Sequence, residues 1–361
     1  MATALVLERP RELVRRDFEL PTIGDDDGIL RIEACGLCGT DHEEYTGHLR
    51  APYGFIPGHE AVGIVESAGD AALERWDVAI GERVAVEVFL SCRTCPSCLE
   101  GTYRRCTNHG LGDMYGFIDV EKGCGLWGGY ASHLYLAPDA LVLPMPDSLD
   151  PVVATLFNPL GAGVRWAVEV PETKPGDVVV VLGPGIRGLS AAAAAKHAGA
   201  GFVMVTGLGP RDAPRLAQAK DFGADLAVDV ETDDPVRLLK KAIGGLADIV
   251  VDVTAKAATA PGQALQLVRP GGTVVLAGTR GSPDVPGFDP DLIVYKEIKV
   301  VGALGVDTRS YETAIDLLQS GVYPFADLTR QTAGFDDVEA LVQAMAGESN
   351  DPPPVHAVFT P

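Results

Sequence analysis

A glycine-rich turn between a strand and a helix restricts the folds open to this chain more than any other feature. Gly183, Gly185 and Gly188 form the pattern G-x-G-x-x-G after the apolar run at residues 178–182 and before the small-residue run at 191–195. Glycines in this pattern permit a tight turn, a close approach of a pyrophosphate to the backbone and close packing of helix on strand. The following helix would offer free backbone amides to a phosphate, so the segment predicts a dinucleotide site.

Strands and helices alternate throughout the region that follows this turn. The apolar runs VVVVLG, FVMVTG, LAVDV, DIVVDV and GTVVLAG are separated by stretches of helical patterning. Such alternation predicts a parallel sheet covered by crossover helices, which is the doubly wound Rossmann fold. The glycine pattern alone also occurs in ordinary turns, but this context favours dinucleotide binding.

The regions on either side have a different pattern. Short apolar runs separated by glycine and proline precede residue 150, and the last part combines a strand near Val300, a helix at 311–320 and the tail PPPVHAVFT. The runs predict a mostly-β domain, to which we expect the tail strand to return. The predicted class is α/β, with the mostly-β domain at residues 1–155 and 300–361 and the dinucleotide-binding domain at 156–299.

The chain is strongly acidic, with a net charge of −21 at pH 7. An acidic surface repels phosphate backbones, so we expect no nucleic-acid partner. No apolar run approaches the roughly 20 residues of a membrane-spanning helix. The segment MATALVLERP lacks the basic and apolar regions of a signal peptide. We therefore expect a cytoplasmic protein with no membrane partner.

Four of the seven cysteines crowd into one short segment. Cys92, Cys95, Cys98 and Cys106 follow the pattern C-x2-C-x2-C-x7-C, whose spacings are too short for ordinary disulfides but suit a metal. Four thiolates can close a tetrahedral shell with no open position, as a structural zinc site requires. Four buried thiols without a metal are the less favoured alternative.

A second set of metal-binding residue types lies nearer the N-terminus. Cys38 begins the segment Cys-Gly-Thr-Asp, and His59 and Glu60 belong to Gly-His-Glu. A thiolate, an imidazole and a carboxylate form a mixed ligand set that can leave a coordination position for water or substrate. Each piece alone is a weak indication, but their presence together with the four-cysteine segment and the glycine turn favours a second metal site.

The segments GLCGTD, GHEAVG, the four-cysteine run, GPGIRG and RPGGTVVLAG resemble, in order and spacing, the zinc-containing medium-chain dehydrogenases. That family includes alcohol, polyol, threonine and glucose dehydrogenases, and the resemblance extends over essentially the whole chain. It implies a GroES-like catalytic domain, a Rossmann domain, two zinc ions per chain and a homodimer or homotetramer. The implied reaction is hydride transfer between an alcohol and NAD or NADP, which yields a ketone or aldehyde.

The same resemblance implies roles for single residues. Cys38 and His59 match ligands of the catalytic zinc, and Glu60 matches a carboxylate that is a ligand in some members. Asp41 matches the residue that orients the histidine ligand. Thr40 matches the hydroxyl group that takes the alcohol proton.

Two positions depart from the usual pattern of the family. A proton-relay residue, often histidine, follows the threonine by three positions; here it is Glu43, which we prefer to His42 one place away. The third zinc-ligand position is Asn158, and a neutral amide oxygen is a poor zinc ligand. We therefore expect the other three ligands and a water to hold the zinc, with Asn158 in contact with that water or with substrate.

The loop after the second Rossmann strand bears on the choice of coenzyme. In NAD-dependent proteins an acidic residue near the end of that strand binds the ribose hydroxyls, but here the position is Gly207, with Asp212 five residues later. Arg211 in the same loop can pair with a 2′-phosphate, so we favour NADP over NAD. The alternative is that Asp212 folds back onto the ribose. The predicted cofactor-binding residues are Gly183, Gly185, Ile186, Arg187, Gly188, Gly207, Arg211, Thr254 and Gly278.

The substrate class is indicated by apolar residues in segments that line the substrate site of relatives. Their character favours a secondary alcohol and its ketone, with a polyol or sugar as the alternative. Two rival functions are a zinc-independent reductase of the same superfamily, which would lack Cys38 and His59, and a non-catalytic nucleotide-binding homologue. The apolar residues are Tyr45, Leu49, Tyr53, Val88, Phe89, Met114 and Tyr115.

Overall fold

A computed structural model describes residues 1–49, 53–255, 257–281, 284–349 and 353–361. The chain divides into two units, each with dense internal contacts. The first unit comprises Met1–Asn158, Ile315–Gly321 and Phe325–Pro361, and the second comprises Pro159–Ala314 and Val322–Pro324. The sequence predicts domain boundaries after residues 155 and 299, and that assignment of domain roles stays a prediction.

Strands occur in both units. In chain order they are β1 (Ala2–Arg9), β2 (Glu12–Phe18), β3 (Gly28–Leu37), β4 (Glu60–Ala68), β5 (Arg83–Val86), β6 (His133–Leu136), β7 (Val142–Pro144), β8 (Val178–Leu182), β9 (Phe202–Gly207), β10 (Leu226–Asp229), β11 (Ala247–Asp252), β12 (Val268–Leu276), β13 (Lys299–Gly302), β14 (Arg330–Ala333) and β15 (His356–Phe359).

Helices follow many of the strands. They are α1 (Gly39–Thr46), α2 (Asp70–Trp76), α3 (Pro96–Leu99), α4 (Pro151–Ala154), α5 (Phe157–Val164), α6 (Ile186–His197), α7 (Gly209–Gln218), α8 (Pro235–Ile243), α9 (Ala260–Leu267), α10 (Asp291–Tyr295), α11 (Thr308–Ser320) and α12 (Val338–Met345). Within the described ranges, none of these helices has the length and apolar character that crossing a bilayer demands.

The second unit contains the predicted doubly wound sheet. Among the described residues its strands follow the order β10-β9-β8-β11-β12-β13, and every neighbouring pair is parallel. The sequence of β8 is Val-Val-Val-Val-Leu, and all but its first residue are buried, as expected of a strand covered on both faces. Small residues allow close helix packing, because a Cβ on Gly163 would lie 2.5 Å from the Ser190 carbonyl carbon. The prediction of a Rossmann sheet is confirmed.

The first unit is mostly β, as predicted. Its larger sheet follows the order β14-β15-β3-β4-β5-β7, with β6 paired to β3, and β1 and β2 form a separate antiparallel pair. The tail strand β15 pairs with β3 and places Ala357 opposite Leu37, so the expected return of the tail is confirmed. The strand β14 and the helix α12, which also belong to this unit, are not predicted from the sequence.

A buried histidine joins the tail strand to the rest of this unit. His356 is 2% exposed, and its Nδ1 accepts a hydrogen bond from the Arg330 Nε at 3.0 Å. Because arginine can only donate, the imidazole proton lies on Nε2 and is donated to the Thr155 hydroxyl, 3.0 Å away. Burial, together with the positive charge of Arg330, lowers the pKa of His356 to about 3.

This arrangement predicts a loss of stability in acid that depends on His356. The unfolded chain takes up a proton there below an ordinary pKa of about 6.5, whereas the folded chain does so only near pH 3. The contribution to stability is therefore complete above pH 6.5 and is lost as the pH falls towards 3. We expect His356→Gln to be less stable than wild type at pH 7. The difference in free energy of unfolding should narrow by up to about 1.4 kcal/mol per pH unit between pH 6.5 and 4.

Urea unfolding of both proteins at several pH values in this range measures that difference. Any loss of bound metal in acid affects both proteins alike, so the comparison isolates the titration of His356. Parallel stability curves for the two proteins would contradict the prediction.

Candidate active site

The predicted ligands of the catalytic metal lie where β3 and β4 run side by side. The antiparallel register places Gly36 opposite Glu60, and it brings Cys38, just after β3, towards His59, just before β4. The Cys38 Sγ is 3.2 Å from the His59 Nε2. Ligand atoms of Cys38, His59 and Glu60 all lie within 4.8 Å of one another, and all three residues are buried. The structure thus brings together the three side chains predicted from separate motifs.

Two glycines make room for this cluster. Gly58 has a φ of +90°, a left-handed conformation that glycine adopts without strain, and it precedes His59 directly. A Cβ on Gly36 would lie 2.4 Å from a carboxylate oxygen of Glu60, so a larger residue would displace this carboxylate. Both glycines therefore preserve the positions of the predicted ligand residues.

The charges of the cluster favour a cation. Burial opposes protonation of His59, but the thiolate of Cys38 and the carboxylates of Asp41 and Glu60 outweigh it and raise the pKa of His59 to about 10. Thiolate, imidazole and carboxylate are the three side-chain donors that zinc accepts in proteins. The donor set and its net negative charge therefore fit a zinc ion.

The beginning of α1 fixes the residues beside the cysteine. Cys38 is the N-cap, and its sulfur accepts a hydrogen bond from the Thr40 amide at 3.3 Å. The Asp41 Oδ2 accepts one from the Cys38 amide at 2.7 Å, which completes a reciprocal cap. Thr40 and Asp41 are therefore held against Cys38 by the hydrogen bonds of this cap.

The two candidate relay residues have different surroundings. Glu43 is half-buried, and its carboxylate lies 3.9 Å from the Nδ1 of His42. His42 is buried, and its Nε2 lies 2.9 Å from a carboxylate oxygen of Glu348. His42 is therefore engaged with the C-terminal part of the unit. Asn158, the second residue of α5, is 3% exposed.

The four cysteines of the other predicted metal site also come together. Their sulfurs lie within 4.8 Å of one another, and the Sγ–Sγ distances include 3.8 Å for Cys92–Cys98 and 4.0 Å for Cys95–Cys106. These separations are roughly twice a disulfide bond length and suit four ligands of one ion. Hydrogen bonds from Thr94 and Cys95 lower the pKa of Cys92 to about 5, while burial raises the pKa of Cys98.

Two anchors of this four-cysteine lobe (residues 92–106) are not marked by any motif. Glu87 is 1% exposed and accepts hydrogen bonds from the Tyr103 hydroxyl at 3.0 Å and the Phe89 amide at 3.1 Å. His109, just after the lobe, has its Nε2 2.7 Å from a carboxylate oxygen of Asp139. The sequence signal for the first anchor is a single glutamate within the apolar run VAVEVFL, although the sequence does not indicate its partner Tyr103.

The glycine turn of the second unit has the geometry predicted for it. Gly183 has a φ of +105°, and Gly185 is the N-cap of α6. A Cβ on Gly188 would lie 1.8 Å from the Gly183 carbonyl oxygen, so only glycine fits there. Ile186 begins the helix, and the Arg187 guanidinium lies over a Trp166 ring at 5.2 Å, a cation–π contact within the same unit.

The helix α7 begins two residues after the end of β9. Arg211 and Asp212, which the sequence predicts in a loop, therefore lie in the first turn of this helix, with Asp212 beside Gly207. A Cβ on Gly207 would lie 3.0 Å from the Cβ of Asp212, whose carboxylate accepts a hydrogen bond from the Leu208 amide at 2.9 Å. Arg215 donates to the other oxygen of this carboxylate at 3.4 Å. Arg211 is exposed in the first turn of α7. The first turn of α7 therefore presents both an exposed arginine and a partly neutralised aspartate.

Thr254 and Gly278 are connected by a buried ion pair that sequence analysis does not predict. Asp252, fully buried at the end of β11, pairs with Arg280 and accepts hydrogen bonds from the Thr254 amide and hydroxyl at 3.0 and 2.6 Å. Arg280 also donates to the carbonyl groups of Thr254 and Gly278. These residues follow the carboxyl ends of adjacent parallel strands, where doubly wound sheets bind coenzymes.

Packing explains several of the apolar residues that suggest a substrate pocket. Tyr45 and Tyr115 are 3% and 1% exposed and belong to the core of the first unit. The Tyr45 hydroxyl donates to Glu339 at 2.7 Å, and the Tyr115 hydroxyl accepts from the Ala137 amide at 3.0 Å. Val88 and Phe89 are buried in a smaller cluster with Tyr103, against which Met114 packs. Their apolar character therefore says little about a substrate.

Both units match known families. Residues 24–147 match the alcohol dehydrogenase GroES-like domain, and residues 188–320 match the zinc-binding dehydrogenase family. A protein of Mycobacterium tuberculosis described as an alcohol dehydrogenase is 64% identical over 359 residues, which cover 99% of this chain and 98% of that protein. Sorbitol dehydrogenase of Bacillus subtilis is 30% identical over 326 residues, which cover 88% and 86% of the two chains.

A similar structure is that of a zinc-binding dehydrogenase from Sinorhizobium meliloti 1021 bound to NADP. It has a TM-score of 0.84 at 27% identity, with 100% of this chain and 99% of that chain covered. The GroES-like and Rossmann folds expected from the sequence are confirmed. The chain belongs to the zinc-dependent medium-chain alcohol dehydrogenases, oxidoreductases that interconvert alcohols and carbonyl compounds with zinc and a nicotinamide coenzyme.

Proposed function

We propose that Cys38, His59 and Glu60 hold the catalytic zinc of this alcohol dehydrogenase, and that the four-cysteine lobe holds a second, structural zinc. The observation that best supports the catalytic site is the distance of 3.2 Å between the Cys38 Sγ and the His59 Nε2, next to the buried Glu60. A three-ligand site leaves a position for water or substrate, whereas four thiolates close the shell. Asn158 contacts that water or the substrate and is not a ligand, because an amide oxygen is a poor zinc donor.

Each catalytic side chain has a separate task in this proposal. Zinc, when bound, supplies a Lewis acid that lowers the pKa of the alcohol hydroxyl group. Thr40 accepts the alcohol proton as it releases its own hydroxyl proton, and Glu43, one turn further along α1, takes up the released proton and passes it to solvent. Asp41 holds the backbone of Cys38 and orients His59.

For the coenzyme we propose NADP in preference to NAD. The turn at Gly183, Gly185 and Gly188 receives the pyrophosphate at the N-terminus of α6. Arg211 is exposed near Gly207 and can pair with a 2′-phosphate, and the relative from Sinorhizobium meliloti is bound to NADP. Arg215 neutralises part of the charge of Asp212, which reduces repulsion of that phosphate.

For the substrate we propose a secondary alcohol and its ketone. The exposed apolar side chain of Leu49 supports this choice, since it is the member of the predicted apolar set that lies outside the buried clusters of the described residues. A polyol is the second candidate, which the similarity to sorbitol dehydrogenase of Bacillus subtilis favours. Exposed Val294 and Tyr295, 72% and 80% exposed on α10, suit an interface between copies, and we propose a homodimer or homotetramer. We propose a cytoplasmic location, because a reducing compartment keeps four neighbouring thiols available to a metal.

The structural zinc is tested by single cysteine replacements. We expect Cys95→Ser and Cys98→Ser each to lose one of two zinc ions per chain and to unfold at lower temperature, because structural zinc contributes directly to folding free energy. Elemental analysis and thermal unfolding measure both effects. Cys124→Ser, which changes a half-buried cysteine outside the lobe, is the control and should keep both ions. Unchanged zinc content in both lobe variants would rule out this site.

The catalytic assignment is tested by activity with secondary alcohols and polyols before and after chelation. We expect Cys38→Ser and His59→Ala to abolish turnover while coenzyme affinity stays within about twofold, because the glycine turn lies in the other unit. Thr40→Ala should lower kcat by about 10²–10⁴, and Thr40→Ser should be mild because the hydroxyl group is kept. Glu43→Ala should lower kcat more than His42→Ala. A zinc-deficient Asn158→Ala protein would instead identify Asn158 as a ligand.

The coenzyme assignment is tested by kcat/KM for NADP and NAD. We expect wild type to prefer NADP and Arg211→Ala to lose about tenfold or more of its NADP efficiency, because a charge-assisted hydrogen bond is removed. Asp212→Asn is the matched variant: a loss confined to NAD would mean that Asp212 binds the ribose. Preference of the wild type for NAD, or unchanged NADP efficiency in Arg211→Ala, would contradict the proposal.

A further inference from the structure

A buried carboxyl group near the proposed metal ligands has no part in the mechanism above. Glu44 is 1% exposed, and within the described residues neither of its carboxylate oxygens has a hydrogen-bond partner. It follows Asp41 by three positions on α1, so the two side chains share a helix face. Asp41 is also buried, and it accepts a hydrogen bond from the Cys38 amide at 2.7 Å, so this helix face lies beside the proposed metal ligands.

Further buried polar atoms of the same region lack partners among the described residues. They are the Asp41 Oδ1, the His59 Nδ1 and the Tyr130 hydroxyl. Tyr130 is 1% exposed, and its ring lies against Gly58, the neighbour of His59, because a Cβ on Gly58 would lie 2.6 Å from a ring carbon of Tyr130. Unpaired buried polar atoms are rare and costly. Several in one region indicate a hydrogen-bond network completed by small side-chain movements or by a buried water.

The donors and acceptors of this region balance when Glu44 is neutral. A His59 that binds a cation through Nε2 carries its proton on Nδ1 and donates there, and Tyr130 donates through its hydroxyl group. If Glu44 were ionised, only these two donors would be present for three carboxylate oxygens, namely the Asp41 Oδ1 and both oxygens of Glu44. A protonated Glu44 supplies a third donor and leaves the Asp41 Oδ1 and one Glu44 oxygen as acceptors. Burial, with the nearby charge of Asp41, also raises the pKa of Glu44 well above its usual range.

We infer that Glu44 is a positioning residue whose neutral carboxyl group donates a hydrogen bond to Asp41, directly or through one buried water. Asp41 then accepts from the Glu44 hydroxyl and from the His59 Nδ1–H, and Tyr130 donates to the remaining oxygen of Glu44. Glu44 acts through Asp41 and contacts no substrate. The inference rests on the proposed zinc ligands, since it names the group that fixes the orientation of one of them.

The consequence is a measurable effect on the catalytic metal. Groups that orient metal ligands commonly change metal affinity by about 10- to 100-fold when they are removed. Glu44→Gln keeps the shape, a donor and an acceptor of a neutral acid. Glu44→Met has a similar length but forms no such hydrogen bonds, so the pair separates hydrogen bonding from filling of space.

The experiment uses the zinc-loaded enzyme and an enzyme whose catalytic zinc is replaced by cobalt. The rate of zinc release to a chelator and the visible spectrum of the cobalt form are measured for each variant. We expect release from Glu44→Met to be about 10- to 100-fold faster than from wild type, with an altered cobalt spectrum. Glu44→Gln should stay within about twofold of wild type, because it retains the hydrogen bonds. Tyr130→Phe, which removes one hydroxyl group, should release zinc about three- to tenfold faster.

Glu87→Met is the matched control, because Glu87 is an equally buried glutamate of the same unit that contacts the four-cysteine lobe. Its cobalt spectrum should equal that of wild type. The inference is overturned if Glu44→Met releases zinc at the wild-type rate. It is also overturned if Glu44→Gln releases zinc as fast as Glu44→Met does. If Glu44→Met does not fold, unchanged release from Tyr130→Phe overturns it. A wild-type enzyme with no metal outside the lobe would instead overturn the proposed catalytic ligands.

Discussion

Gly36 lies opposite Glu60 in the pairing of β3 with β4, and this register determines which side chains meet at the active site. Side chains alternate between the faces of a sheet, so a slip of one residue would send Glu60 to the opposite face. Cys38 and His59 lie just beyond the paired residues, and their positions follow from the same register. The glycine at 36 is part of this constraint, because its missing side chain is the space that the Glu60 carboxylate occupies.

The site brings several acidic groups together in a buried position. Without a compensating positive charge, their mutual repulsion and loss of hydration would make this arrangement unfavourable. Cys38, Asp41 and Glu60 all raise the pKa of His59, so their charges are felt strongly there. A divalent cation offsets two of these charges, and the N-terminus of α1 favours a third. An ionised carboxylate at Glu44 would add a fourth negative charge, which neither the cation nor the helix terminus would offset. The charge balance of the cluster therefore favours a neutral Glu44.

The fold, and the clustering of the residues proposed as ligands, were open to prediction because each depends on short-range patterns. The glycine turn, the four-cysteine spacing and the Gly-His-Glu segment are local in sequence, and their geometry follows from few residues. Asp212 lies beside Gly207 because α7 begins only two residues after β9, an early helix start that the sequence pattern does not indicate, and its carboxylate accepts a hydrogen bond from the Leu208 amide. Other contacts join residues that are distant in sequence, and no recognisable spacing in one sequence indicates them. Examples are Asp252 with Arg280 and Glu87 with Tyr103. Glu44 reads as an ordinary exposed helix residue until the packing of α1 buries it.

The pairing of β15 with β3 has a consequence for how the protein is made. The ribosome delivers β3 early, but the strand that lies beside it is completed only when residues 356–359 emerge. The second unit is almost continuous in sequence and can close its parallel sheet while the rest is still being translated. The N-terminal sheet, in contrast, waits with residues 35–37 of β3 unpaired on one side, although β6 already covers residues 28–31 there, and an unpaired edge is a template for unwanted association. Protection by chaperones, or rapid completion of synthesis, would limit such association most in that interval, before β15 completes the sheet next to Cys38 and His59.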